Sequence, residues 1–366
     1  MPAPIRRIVL VCKMTYGDFV LVLPFLSELK RRHPQARVTM ICGNRGHQLC
    51  QLYPWIDEVV NLDVIRSQLG FPAVLGRLVS LFRADVIYAL HPFYFAAAVA
   101  FLLAGRRRVG FAQASVRLFE TGRGFHSKLS TRPFQEWLIR HVLLHRAVTM
   151  ETEEVHAADR FLQLLDPAPE PPPTLRGLLS GVYPRKPRTP LLVVLAPFSG
   201  WTPRNWPLER WVELAVRLRA TLPEGALIVS VDPASAASAR RAFAALPAVE
   251  IFQPGHDFDL LFRTFASAAL IVSNDSFPLH VGSALDVPTI GLFGPNLPKW
   301  FGGRAVPHED LFAAIECNPC VQGQGSEPCQ RGLAVCAALE ALSVEAVASR
   351  CLALLGPGQP AASPPA

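Results

Sequence analysis

Three short stretches of this chain carry residues whose types and spacing could do chemistry. Asn274-Asp275-Ser276 stands between an apolar run and Pro278-Leu279-His280; Gly17-Asp18 follows a second apolar run. Arg204 lies in Trp201-Thr202-Pro203-Arg204-Asn205-Trp206-Pro207, after a third. Asn, Asp and Ser favour turns and helix caps, and Pro278 suits the first helical position, where no N–H is needed. A helix that starts there aims N–H groups and a partial positive charge outward, and diphosphates bind at such ends. Arg204 would add a cation, and Ser199-Gly200 would let backbone come close to an anion; the same stretch also reads as a solvated arginine in a loop with two tryptophans packed underneath. Asp18 offers a carboxylate able to take a proton from an attacking hydroxyl as general base. Aspartate is also among the best helix N-caps, so its two readings stay open at this point.

These residues need elements to hold them. Strand-like apolar runs occur at 7–12, 37–42, 58–62, 85–90 and 107–111, then at 191–196, 226–231, 269–273 and 288–293. Segments such as 19–33 and 207–221 carry apolar residues at helical spacing, the second opening at Pro207. Strands separated by helices indicate parallel sheets covered on both faces. The spacing puts a tight turn at 14–17, with Gly17 supplying the backbone freedom and Asp18 the start of a helix. A proline-crowded stretch at 166–190 reads as a linker, and 356–366 as a disordered tail. The expected organisation is an N-terminal domain over 1–165 and a C-terminal domain over 191–355. Ligands of open α/β sheets bind at the carboxyl ends of the strands, so the expected site lies between two such edges.

Composition sets the outer limits. The 366 residues exceed what one core usually fills, and 50% hydrophobic with 18% charged residues excludes global disorder. A net charge of +7, carried mostly by arginine, suits an anionic ligand, an anionic membrane surface or nucleic acid alike. The most basic region is 105–132, with Arg106, Arg107, Arg108, Arg117, Arg123, Lys128 and Arg132. It reads either as an acceptor or membrane-surface patch or as a solvated face. No signal peptide is legible, and the longest apolar run (93–104) is too short to span a bilayer, so a cytoplasmic protein is expected. Cys317, Cys320, Cys329 and Cys336 form C-x2-C-x8-C-x6-C, which reads as structural zinc or as packed thiols. Cys336 falls in an apparent helix over 333–342, which favours the thiols. His280 reads as a packed histidine at a helix start rather than an acid or base.

The order of strand, Gly17-Asp18 and apolar helix, then RRVGF at 107–111, PFSGWTPRNWPLERW at 197–211, NDSFPLH at 274–280 and GLFGP at 291–295, resembles glycosyltransferase family 9. The resemblance runs from about residue 6 to about 350. It implies two Rossmann-like domains facing each other across a cleft, the GT-B architecture. It also implies an inverting, metal-independent glycosyltransferase that takes a nucleotide-sugar, typically ADP-heptose, to a lipopolysaccharide-core or other glycan acceptor. Asp18 would be the catalytic base. Arg204, Ser199, Gly200, Asp275, Ser276, Phe277, Pro278, Leu279 and His280 would hold the donor. Thr15, Tyr16, Gly17, His91, Arg108, Arg123 and Lys128 would meet the acceptor. The donor is a substrate, so no cofactor is implied. The implied partners are donor and glycolipid acceptor, with peripheral contact at the inner face of the inner membrane and no nucleic acid. Two departures stand out. Phe277 replaces the family's glycine, where a ring could crowd the diphosphate, and His91-Pro92-Phe93-Tyr94-Phe95 replaces a polar loop. A GT-B-type nucleotide-sugar epimerase or hydrolase, or a non-catalytic nucleotide-sugar-binding protein, are the rival readings.

Overall fold

Each half of the chain folds around its own sheet of six parallel strands. The computed structural model describes residues 4–12, 14–91, 94–114, 137–150, 154–222, 225–246, 248–320, 329 and 331–356. Two compact units result: Met1–Leu178 with Lys299–Phe301, and Leu179–Pro298 with Gly302–Ala366.

In the first unit, β1 (Arg7–Val11), β2 (Arg37–Cys42), β3 (Glu58–Asn61), β4 (Val86–Ala89), β5 (Arg107–Ala114) and β6 (Arg146–Met150) lie in the order β3-β2-β1-β4-β5-β6. In the second, β7 (Leu192–Ala196), β8 (Ala226–Ser230), β9 (Val249–Phe252), β10 (Leu270–Asn274), β11 (Thr289–Phe293) and β12 (His308–Phe312) lie in the order β12-β11-β10-β7-β8-β9. Both are the doubly wound Rossmann order, whose switch point falls between the first and fourth strands of each half. Central strands such as β7, β10 and β11 are buried at every residue, as helices on both faces require.

The strands β6, β9 and β12 were not expected. Each lies at a sheet edge, where one flank has no partner strand and a continuous apolar run is unnecessary. Their sequences RAVTM, VEIF and HEDLF mix charge with apolar residues accordingly.

Helices of six residues or more follow the strands: α1 (Tyr16–Leu21), α2 (Leu23–Arg32), α3 (Asn44–Cys50), α4 (Leu62–Ser80) and α5 (Tyr94–Leu102) in the first unit. The second holds α6 (Leu208–Thr221), α7 (Ala236–Ala242), α8 (Phe258–Ala266), α9 (Phe277–Ala284) and α10 (Val344–Leu355). The stretch expected as one helix over 19–33 is two, α1 and α2, and Pro24 sits in the first turn of α2, where its missing N–H costs nothing. Pro207 is the N-cap of α6 rather than its first residue.

Residues 166–190 contain no helix of α type and no strand, yet 179–188 is not loose. Leu179 N–H donates to the Ala284 carbonyl, Lys186 N–H to Ala266 and Arg188 N–H to Ser267. The Tyr183 hydroxyl donates to Asp259 at 3.0 Å, and its ring meets Phe262 edge-on. This half of the segment is strapped onto the C-terminal unit. Arg117, Arg123, Lys128 and Arg132, and all of the expected tail but Gly356, lie outside the described residues.

Candidate functional site

The carboxyl edge of β1 holds Asp18 by a device different from the N-cap that its sequence position suggests. Thr15 is the N-cap of α1, and Asp18 is the third helical residue. Asp18 Oδ2 accepts from the Thr15 backbone N–H (3.1 Å) and from Thr15 Oγ1 (2.8 Å). Reaching back in this way satisfies an orphan donor and fixes the carboxylate. Oδ1 accepts no hydrogen bond among the described residues. Thr15 thus spends its side chain on Asp18, and Gly17 is an ordinary second helical residue with no positive φ. Tyr16 opens the helix, and burial pushes its phenol up against the opposing pull of Arg45.

His91 comes to the same edge because β4 neighbours β1, with Val11 opposite Ala89 and the Leu90 N–H donating to Val11. Burial pulls the imidazole down to about 4, outweighing the opposite effect of Asp18. His91 is therefore neutral beside the carboxylate at ordinary pH. Arg108 does not join them. It is the second residue of β5, toward the amino end of the sheet, where Nε donates to the Leu143 carbonyl at 2.7 Å and the guanidinium covers the Phe101 ring. Arg106 and Arg107 pair with Asp85 and Asp166, so the basic run is divided rather than pooled.

In the second unit, the end of β10 gathers most of the expected donor residues. Asn274 clamps the loop after β7: its Nδ2 donates to the Pro197 carbonyl at 2.7 Å, and its Oδ1 accepts from the Trp206 N–H at 3.1 Å. Trp206 is anchored beneath, edge-on to Trp211, with Nε1 donating to the Leu342 carbonyl. That clamp delivers Arg204 to Asp275. Arg204 Nε lies 3.5 Å from Asp275 Oδ2, Nη1 donates to the Asp275 carbonyl at 3.3 Å, and the guanidinium stands over Trp201. Asp275 is almost wholly buried and also accepts from Asn296 Nδ2 at 2.5 Å. An Arg guanidinium has five donors in a fork, so Nη2, which makes no hydrogen bond to the described residues, can still meet a phosphate.

The start of α9 differs in detail from expectation. Ser276 is the N-cap without a side-chain cap bond, Phe277 is first and Pro278 second. The Leu279 N–H is already bonded to the Ser276 carbonyl, and Pro278 has none. The electropositive end is thus carried more by the helix dipole than by a row of open N–H groups. Ser199 likewise spends its amide on Asn205 Oδ1 and its hydroxyl on the Trp201 carbonyl, whereas the space a Cβ on Gly200 would take is open. His280 is buried within α9. Asn296, which the sequence reading missed, follows the Phe-Gly-Pro at the end of β11; a polar residue just past a strand's carboxyl end was its signal.

Cys336 is the N-cap of the short helix Ala337–Glu340, not part of a helix over 333–342, and it packs in the core of the second unit. Among the described residues, no three His, Cys, Asp or Glu side chains are grouped so as to hold a metal ion. No helix among them is long and apolar enough to cross a membrane.

Two doubly wound halves, one with a braced carboxylate and one with an arginine at a helix start, define an α/β protein with two Rossmann-like domains of GT-B type. The profile of glycosyltransferase family 9 (heptosyltransferase) matches residues 75–330, and the chain belongs to that family. Lipopolysaccharide heptosyltransferase 1 of Pseudomonas aeruginosa is 29% identical over 141 residues, 37% of this chain and 38% of that protein. The Escherichia coli (strain K12) protein of the same name is 33% identical over 105 residues, 27% of this chain and 31% of that protein. The matched stretch thus spans well under half of either relative. Among solved structures, E. coli ADP-heptose lps heptosyltransferase II superposes with a TM-score of 0.67 at 16% identity, covering 95% of this chain and 98% of that one. E. coli heptosyltransferase WaaC with ADP gives 0.66 at 18%, covering 95% and 99%. At such identities these two show the fold.

Proposed function

We propose that this chain is an inverting, metal-independent glycosyltransferase that moves heptose from ADP-heptose to a hydroxyl of a lipopolysaccharide-core acceptor. The observation that carries it is the Asp18 carboxylate at the carboxyl edge of β1, with Oδ2 held by both Thr15 donors and Oδ1 accepting no hydrogen bond from the described residues. A base held this way needs no reorientation as the reaction proceeds. Oδ1 takes the proton of the acceptor hydroxyl, whose oxygen attacks the anomeric carbon from the face opposite the diphosphate. The anomeric C–O bond breaks, and its electron pair stays on the diphosphate. Arg204 and the dipole of α9 stabilise the charge that gathers there, a contribution worth several kcal/mol in comparable sites, on the order of 3 kcal/mol per donor. The family membership and the relatives named above support the choice of heptose and ADP. The net charge of +7 fits a protein working beside anionic headgroups, at the inner face of the inner membrane.

The test is Asp18→Asn in a transfer assay with ADP-heptose and a lipopolysaccharide-core acceptor. Turnover is expected to fall by a factor on the order of a thousand or more, with ADP affinity nearly unchanged. Asparagine keeps the hydrogen bonds to Thr15 but cannot take a proton. Retained turnover removes Asp18 as the base, and consumption of donor without acceptor points to an epimerase or hydrolase instead.

A further inference from the structure

Phe277 stands where a side chain would be expected to obstruct a bound diphosphate, and its packing indicates a different role. The ring meets Phe258 edge to face, with centroids 5.9 Å apart and planes at 80°. Phe258 is the first residue of α8 and Phe277 the first of α9, and both helices begin at the carboxyl edge of the same sheet. α8 enters β10 and α9 leaves it, so the two rings bridge neighbouring helix starts beside Asp275. Phe258 is buried, 6% exposed, while Phe277 keeps part of its surface accessible. A ring held by such a pair has given up its rotamer freedom before any ligand arrives.

We infer that Phe277, backed by Phe258, is the wall on which the nucleobase of the donor rests, and that it selects the nucleoside half rather than closing the diphosphate site. This inference rests on the nucleotide-sugar reading above. The two halves of such a donor differ in chemistry: the base is planar, aromatic and poorly hydrated on its faces, and the sugar is covered in hydroxyls. A rigid aromatic surface matches the first, because every base offers a π-face for stacking. The phosphates stay with Arg204 and the start of α9, where Phe277 supplies only backbone.

The experiment is calorimetric titration of the full chain and of Phe277→Gly, Phe277→Leu and Phe258→Leu with ADP and, separately, with inorganic pyrophosphate. Thermal unfolding of each variant confirms that it folds. Phe277→Gly is expected to weaken ADP by roughly tenfold or more while pyrophosphate changes less than about twofold, and Phe277→Leu falls between. Phe258→Leu is expected to weaken ADP in the same direction by loosening the backing. ADP affinity unchanged in Phe277→Gly overturns the wall and leaves the nucleotide reading standing. Pyrophosphate bound more tightly by Phe277→Gly overturns it in favour of an obstructing ring. If the unaltered chain binds neither ADP nor pyrophosphate, the nucleotide reading and the wall fall together.

Discussion

At the scale of residues, the second unit is organised around one buried carboxylate. Asp275 accepts from Asn296 and pairs with Arg204, and each partner comes from a different loop at the same sheet edge. Removing either leaves a buried charge short of a partner, which costs more than the bond itself contributed. Arg204→Ala is therefore expected to weaken ADP by roughly thirtyfold, the loss of about 2 kcal/mol from a charge-assisted bond. Arg204→Lys should fall between, since an ammonium keeps the charge but not the fork. Titration calorimetry reads both. Phe277, Asp18 and Arg204 were legible in the sequence because their types are unusual or chemically pointed. The bracing was not: Thr15 on Asp18, and Asn296 on Asp275, are ordinary polar residues whose partners are set by the backbone path.

At the scale of elements, close approach between α9 and its sheet sets where the helix starts. A Cβ on Gly282 would lie 2.5 Å from Thr289 Cγ2 and 3.1 Å from Ile271 Cδ1, so α9 packs on β10 and β11 at a distance only glycine permits. Gly282→Ala is expected to destabilise the chain by about 1–3 kcal/mol in urea unfolding, since neither neighbour can withdraw from the sheet. β12 carries a pH-dependent element of its own. Burial pushes the Asp310 carboxyl up to about 6, although both oxygens accept from the Gly303 N–H and His308 pulls the other way. An acid whose pKa is raised in the folded state favours folding while protonated. That contribution is complete below the unfolded value near 4 and disappears as pH rises to about 6. Asp310→Asn should therefore stabilise the protein above pH 6, by at most about 3 kcal/mol, and make little difference below pH 4. Thermal unfolding across that pH range measures it.

At the scale of the whole molecule, two compact units imply two events on heating. In the first, β1, β4 and α5 pack around Val9, Ile87 and Ala97, and in the second, β7, β10 and α6 pack around Leu195, Val272 and Trp211. Calorimetry is expected to resolve two transitions, only one of which ADP raises. At a thousandfold excess of ADP over its Kd, that transition should gain about 4 kcal/mol, because binding stabilises the unit that holds the ligand. A C-terminal unit begun at Leu191 should be less stable in thermal unfolding than one begun at Leu179, since 179–188 is hydrogen-bonded onto it.

The alternation of apolar runs with amphipathic segments, by itself, was enough to define two parallel α/β halves, because central strands buried on both faces must be apolar throughout. Local pattern also offered Asp18, Arg204 and Asp275 as candidates, since Gly-Asp, Arg before Trp-Pro and Asn-Asp-Ser are written within a few consecutive residues, beside the plainer readings of helix cap, solvated arginine and strand–helix turn. The edge strands β6, β9 and β12 escaped it, though the edge strand β3 did not, because one open flank lifts that composition rule. Only the tertiary structure decided that Asp18 is a third helical residue braced by Thr15, that Arg108 lies toward the other end of its sheet, and that the Phe277 ring leans on Phe258. Those outcomes depend on register between strands and on the spacing of helices over a sheet. Such distances join residues far apart in the chain, where no local pattern can record them.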